Sequence, residues 1–434
     1  MRATTDLRRV SLIALATLVA ACSESPTTPK DPLSGGWGTG ENRLLSDAEM
    51  ATPADPAAAG SDASWIAWVQ RNRHPIRSLT STQFDDLRFL APLLAGKRIV
   101  QLGESGHGVA EFDQAKVRLI RYLHEELGYD VIAFESSLYD CWSANRNQAS
   151  LIATTLMKHC IFGVWYASQT LPLFEYIKQT QATAHPLVLA GIDIQASSSA
   201  ENVGAPAFLA GVIGRIDPAY ATRIRTLDSI FVVDRTTFAQ SDAGLRAIAT
   251  YDSLTAWFDA HTASFQAAGG DAESVLVARQ LAFSRARFVK HLRATTSEEL
   301  FATRDPSMAD NLDALLTRIY PGKKVLVWAH NAHIQEDRAH SYEDGNPTTG
   351  IATMGTWVAQ RHAAELYTIG LFMYRGTAAD NARRVYNVTP AAVGSLEATF
   401  YPVRMKQFFV DLSQAGSEKG TEWIRRPTIS KDWG

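Results

Sequence analysis

Glu104 and His107 lie three residues apart in Gly103-Glu104-Ser105-Gly106-His107-Gly108, directly after an apolar run. Glycines allow a tight turn and a close backbone approach, so an acid and an imidazole can be presented together at the end of a strand. Glu135 stands in the same relation to Asp130-Val131-Ile132-Ala133-Phe134, and Asp193 to the run from Leu187 to Ile192. His330 follows Lys324 to Trp328, and His333 comes three residues later. Imidazoles, with a reference pKa of about 6.5, exchange protons near neutral pH, and carboxylates orient them; such a set suits general acid–base hydrolysis. Each residue alone has a plainer meaning, since a histidine can cap a turn and a glutamate can form a salt bridge. Asp193 equally suits a histidine partner, a lysine partner or a buried network. The repeated placement after apolar runs is what points to one crevice.

The same residue types can bind a metal, and a metal-dependent hydrolase is the main enzymatic rival. The chain lacks the His-Glu-x-x-His helix pattern that would make zinc specific. A surface protein that binds a large apolar ligand without turnover is the non-enzyme rival. Tyr139, Trp142, Trp165, Tyr166, Trp357, Phe372 and Tyr374 supply aromatic area for such a ligand wherever they face a cleft, and otherwise complete the core.

The elements that must position these residues follow from periodicity. Strands are predicted at Arg98–Leu102, Asp130–Phe134, Leu187–Ile192, Lys324–Trp328 and Leu366–Phe372, with a late one at Phe408–Leu412. Phe112 to Leu127 has helical spacing and stops near Gly128. Strand, helix, strand in that order predicts a right-handed crossover joining adjacent parallel strands. Two short helices are expected near Trp65–Val69 and Phe84–Leu94. Residues 195–319 are long and periodic, and read as a predominantly helical insertion serving as lid, substrate wall or packing. The fold class is therefore α/β, with a mostly parallel central sheet flanked by helices and a helical insertion or lid subdomain.

The ordered motifs resemble the erythromycin esterase family. They comprise Phe84-Asp85-Asp86-Leu87, the Gly103–Gly108 stretch with Glu111-Phe112, Phe134-Glu135, and Gly191-Ile192-Asp193-Ile194-Gln195. Arg304-Asp305, Met308-Ala309-Asp310-Asn311, Trp328-Ala329-His330-Asn331-Ala332-His333 and Met354-Gly355 complete the set. The resemblance implies hydrolysis of a carboxylic ester or macrolactone, including macrolide-like substrates. It implies His107 as the general base that activates water, with Glu104 or Glu135 holding its tautomer. His330 and His333 would stabilise the oxyanion or protonate the leaving alkoxide. This scheme requires neither metal nor cofactor. Ser105 sits in no Gly-x-Ser-x-Gly elbow and is not the expected nucleophile. Lys116 and Arg304 are electrostatic candidates; Lys116 reads more readily as an exposed helix lysine, and Arg304 as a tie between insertion and sheet.

The first 21 residues read as a bacterial lipoprotein signal peptide: Arg2, Arg8 and Arg9, an apolar run from Leu12 to Ala21, then Val19-Ala20-Ala21-Cys22. The run is too short for an ordinary membrane span. Cys22 would carry lipid and anchor the chain to a bilayer of the bacterial cell envelope, with the outer membrane the expected destination. Residues 22–60, rich in Ser, Thr, Pro, Gly, Asp and Ala, would form a flexible tether, and 61–434 the catalytic domain. Cys141 and Cys160 are spaced to form a disulfide or to remain as two buried thiols. A formal charge of -3 provides no electropositive field, so nucleic acid is an unexpected partner. No motif selects an oligomeric state.

Overall fold

A computed structural model describes residues 10–15, 42, 45–46, 63–337, 342–343, 346–347, 351–413, 415–416, 418–425 and 430–431. Twelve strands are present among them: β1 (Val10–Leu15), β2 (Arg73–Pro75), β3 (Ile99–Leu102), β4 (Val131–Ser137), β5 (Val188–Asp193), β6 (Val325–Trp328), β7 (Tyr342–Glu343), β8 (Asn346–Pro347), β9 (Leu366–Phe372), β10 (Gly376–Ala379), β11 (Val385–Val388) and β12 (Gln407–Asp411). Eight of them form one sheet in the order β2-β12-β1-β9-β3-β6-β4-β5. Pairing is parallel from β1 through β9, β3, β6 and β4 to β5, and antiparallel at β12.

The α/β architecture is the one expected, with one correction to the strand order. β3 and β4, joined by the Ala110–Leu127 helix, are not neighbours, because β6 lies between them and pairs with both. A crossover helix fixes the hand of the connection, but not whether the slot beside the first strand stays empty. β6 is buried at all four residues, and a strand without a polar face finds its place between two neighbours.

Alternate residues of each strand feed two cores. Ile99, Val131, Ala133, Ile192, Val325 and Val327 pack with Leu209, Phe231, Val289 and Met308 of the helical insertion. Val100, Leu102, Ile132, Phe134, Leu326 and Trp328 pack with Phe112, Ile120, Phe174 and Ile177 on the other face. This is the period-two pattern of a sheet covered on both sides. The expected helical insertion is realised by helices at Ala200–Ile213, Pro218–Val233, Arg235–Gln240, Asp242–Ala260, Thr262–Ala268, Ala272–Leu292 and Ser297–Ala314.

Towards the N-terminus, the apolar run assigned above to a leader contributes β1, parallel to β9 and antiparallel to β12. Cys22 and most of the stretch read as a tether lie outside the described residues. Within that stretch Leu45 is buried against Tyr374, Ala391, Ala398 and Tyr401, so the chain before residue 60 touches the body there. No helix among the described residues is long and apolar enough to cross a membrane.

Candidate active site

β3, β4, β5 and β6 are parallel, so the turns that follow them open on one edge of the sheet. The turn after β3 carries Glu104 and His107. Glu104 is 1% exposed, and its carboxylate receives three donors. His107 Nδ1 lies 2.7 Å from Oε1, the Trp165 indole N–H donates to Oε1 at 2.6 Å, and Lys116 Nζ donates to Oε2 at 2.8 Å. Burial would raise this carboxyl, but the adjacent Lys116 ammonium and the His107 hydrogen bond outweigh it and bring it down to about 2. Lys116 is fully buried, donates also to the Ala329 carbonyl at 3.2 Å, and lies 4.6 Å from the Trp328 ring centre. The expectation of a solvent-exposed helix lysine is thus overturned. Three residues before it, Asp113 faces the same buried region, and burial together with the Glu104 charge pushes its carboxyl well above the usual range.

A second group of charges stands beside the first. The His330 backbone N–H donates to Glu135 Oε2 at 2.9 Å, while Arg304 donates to Glu135 Oε1 at 2.7 Å and to both oxygens of Asp193. Burial would raise the Glu135 carboxyl; His333, Arg304 and the His330 N–H bring it to about 2. His333 Nδ1 sits 3.0 Å from each Asp305 oxygen, and its Nε2 lies 3.3 Å from Glu135 and 3.1 Å from Arg304. Burial disfavours the charged form of His333, yet Asp305 and Glu135 together raise its pKa above the ordinary histidine value. The His107 and His330 rings lie 5.1 Å apart, which joins the two groups into one site. His330 Nδ1 accepts the Ala332 N–H at 3.1 Å, capping the short Asn331–Ile334 helix.

The family profile described as erythromycin esterase matches residues 124–434. The chain belongs to the erythromycin esterase family. A putative hydrolase, YbfO, from Bacillus subtilis (strain 168) is 32% identical over 88% of this chain and 89% of its own length. Erythromycin esterase type I from Escherichia coli is 26% identical over 58% of this chain and 66% of its own length. A crystal structure of a Bacillus cereus protein superposes with a TM-score of 0.69 at 20% identity, over 82% of this chain and 87% of that one, which shows the fold alone.

Family membership makes the protein a carboxylic-ester hydrolase, and its buried histidine–carboxylate network suits acid–base catalysis. Within this erythromycin esterase framework, Arg304 ties the Ser297–Ala314 helix to β4 and β5, and the carboxylates it pairs with, Glu135 and Asp193, belong to the polar cluster. Sequence reasoning missed the roles of Trp165 and Asp305. Trp165 stood only among the aromatic residues, although Asp305 sits next to Arg304 in a motif already noted. Most of the other aromatics serve packing: Tyr139 and Trp142 join the core beneath the insertion, and Tyr374 stacks on Tyr401. Cys141 and Cys160 form a disulfide, which links the helix after β4 to the segment that leads to Trp165. Among the described residues no group of three or more His, Cys, Asp and Glu is arranged to hold a metal ion. The carboxylates are instead committed to Lys116, Arg304 and the histidines. A groove of about 930 Å³ on the insertion, lined by Leu227, Ile230, Val233 and Phe238 among others, includes none of these polar residues.

Proposed function

We propose that the protein hydrolyses a carboxylic ester or macrolactone by direct attack of water, with His107 as general base. The observation that carries this reading is the 2.7 Å contact between His107 Nδ1 and an ionised, three-donor Glu104. A carboxylate acceptor puts the imidazole proton on Nδ1 and leaves the Nε2 lone pair to take a proton from water. His330 has the opposite tautomer, because its Nδ1 accepts a backbone N–H and its proton therefore resides on Nε2. One ring is thus set to accept and its neighbour to donate, the pair needed to activate water and stabilise the developing oxyanion. Lys116 and Trp165 keep Glu104 ionised and fixed, while Glu135, Asp193, Asp305 and Arg304 orient His330 and His333. A macrolide-like substrate is the finer reading, supported by the similarity to erythromycin esterase type I of Escherichia coli. His107→Ala is expected to lower kcat by about 10²–10⁴-fold on any ester turned over, with folding and ligand binding retained. Unchanged turnover in that variant removes His107 from the role.

We further infer a lipid anchor at Cys22 and residence in the bacterial cell envelope, supported by the basic start, the apolar run and Val19-Ala20-Ala21-Cys22. Cleavage before Cys22 would remove β1, the strand that pairs with both β9 and β12. Mass spectrometry of the N-terminus from membrane fractions is expected to find lipidated Cys22. An unprocessed Met1 terminus in those fractions would refute the anchor.

A further inference from the structure

Phe301 has no part in the chemistry above, yet its ring lies against one of the site's histidines. It sits on the Ser297–Ala314 helix three residues before Arg304 and four before Asp305, a spacing that puts all three on one helix face. From that face Arg304 reaches Glu135 and Asp193, and Asp305 holds His333 Nδ1 at 3.0 Å. The same face brings the Phe301 ring centre to 5.6 Å from that of His333, with the two planes inclined at 31°.

Phe301 thereby ends a row of rings that runs through the candidate site. The Trp165 and His107 rings are 5.5 Å apart, and those of His107 and His330 are 5.1 Å apart. Glu135 then links the His330 N–H to His333, which lies 3.3 Å from it, and Phe301 follows. Trp165, at the far end, is 1% exposed and spends its indole N–H on Glu104. Phe301 is only half-buried and, among the described residues, belongs to none of the hydrophobic clusters that form the core. Core packing therefore does not account for its place. Imidazoles, carboxylates and a guanidinium suit the carbonyl of an ester, whereas the remainder of an apolar ester needs an apolar wall. A phenylalanine ring is the kind of side chain that supplies one, since aromatic residues bury about 150–250 Å² each.

We propose that Phe301 is the substrate wall contributed by the helical insertion: its ring receives the apolar part of the ester while the carbonyl lies between His107 and His330. The proposal rests on the esterase reading and makes Phe301 a specificity-determining residue. The test measures kcat/KM for the full chain, Phe301→Ala and Phe301→Gln on two series of esters. p-Nitrophenyl acetate, butyrate and octanoate lengthen the acyl side; ethyl, butyl and octyl acetate lengthen the alcohol side. Both variants are expected to lose about tenfold on the octyl member of one series, chiefly through KM, while p-nitrophenyl acetate and ethyl acetate change by less than about twofold. The series that responds identifies which side of the ester meets the ring. Phe301→Gln keeps most of the bulk, so it carries the test if the alanine variant unfolds. Unchanged selectivity in both series overturns the wall. A uniform loss on every ester also overturns it, because that pattern belongs to a prop for His333. Should the parent hydrolyse none of the esters, the esterase reading fails by itself, and calorimetric titration with octanamide and N-octylacetamide then judges Phe301. Binding of either amide weakened about tenfold in the variants supports the wall; equal or undetectable binding to parent and variants overturns it.

Discussion

Glu135 shows how a single buried carboxylate links the proposed chemistry to stability. It accepts the His330 N–H and the Arg304 guanidinium and lies 3.3 Å from His333. Burial works against its ionisation, but these partners bring its pKa to about 2, below the ordinary value of 4.5. The folded chain thus binds fewer protons at this site than the unfolded chain. The associated stability is fully present above about pH 4.5 and is lost as the pH falls through about 2. It amounts to on the order of 3 kcal/mol. Glu135→Gln is expected to flatten the dependence of the urea midpoint on pH between those limits, measured against the parent chain. An unaltered acid profile would mean that Glu135 is not held ionised by this network.

At the scale of elements, legibility followed from whether the signal was local. β9 spans Leu366–Phe372 as expected, and β3, β4, β5 and β6 begin or end within a few residues of the apolar runs that announced them. The polar residues after those strands were readable for the same reason. β6 between β3 and β4 was not, because strand order depends on contacts more than a hundred residues apart. The β10–β11 hairpin was also missed, since Gly376–Ala379 has no apolar alternation and Val385–Val388 exposes three of its four residues. Met354-Gly355 was visible only as a motif, and packing supplies its reason. The Met354 N–H donates to Asp305 at 2.9 Å, and a Cβ at Gly355 would lie 2.2 Å from the Ile334 carbonyl oxygen. Gly355→Ala must therefore push the Met354–His362 helix away from the turn that carries His333. The expected result is a loss of about 1–3 kcal/mol in stability with a drop in kcat, read by thermal unfolding and ester turnover on one preparation. An alanine variant equal to the parent in both would show that the turn gives way freely.

Across the whole molecule, the insertion is joined to the sheet by an apolar interface and by a polar seam that ends in the candidate active site. Asn311 donates to the Ile192 carbonyl at 2.7 Å and receives Gln280 at 2.7 Å, while Arg304 reaches Asp193 on β5 and Glu135 on β4. Whatever moves the Ser297–Ala314 helix also moves Asp305, and with it His333. The insertion is therefore part of the scaffold that holds the candidate site. Arg304→Met tests this, because methionine keeps much of the apolar stem while removing the charge that Asp193 and Glu135 share. Two buried carboxylates would lose their common cation, and breaking such a pair typically costs about 3–5 kcal/mol. Activity is expected to fall beyond what unfolding explains, since Glu135 and His333 lose their fixed positions. Adding Asp193→Asn to Arg304→Met removes one of the stranded charges and should recover part of the stability without recovering kcat. Recovery of both together would reduce Arg304 to a fastening; recovery of stability alone ties the seam to the chemistry.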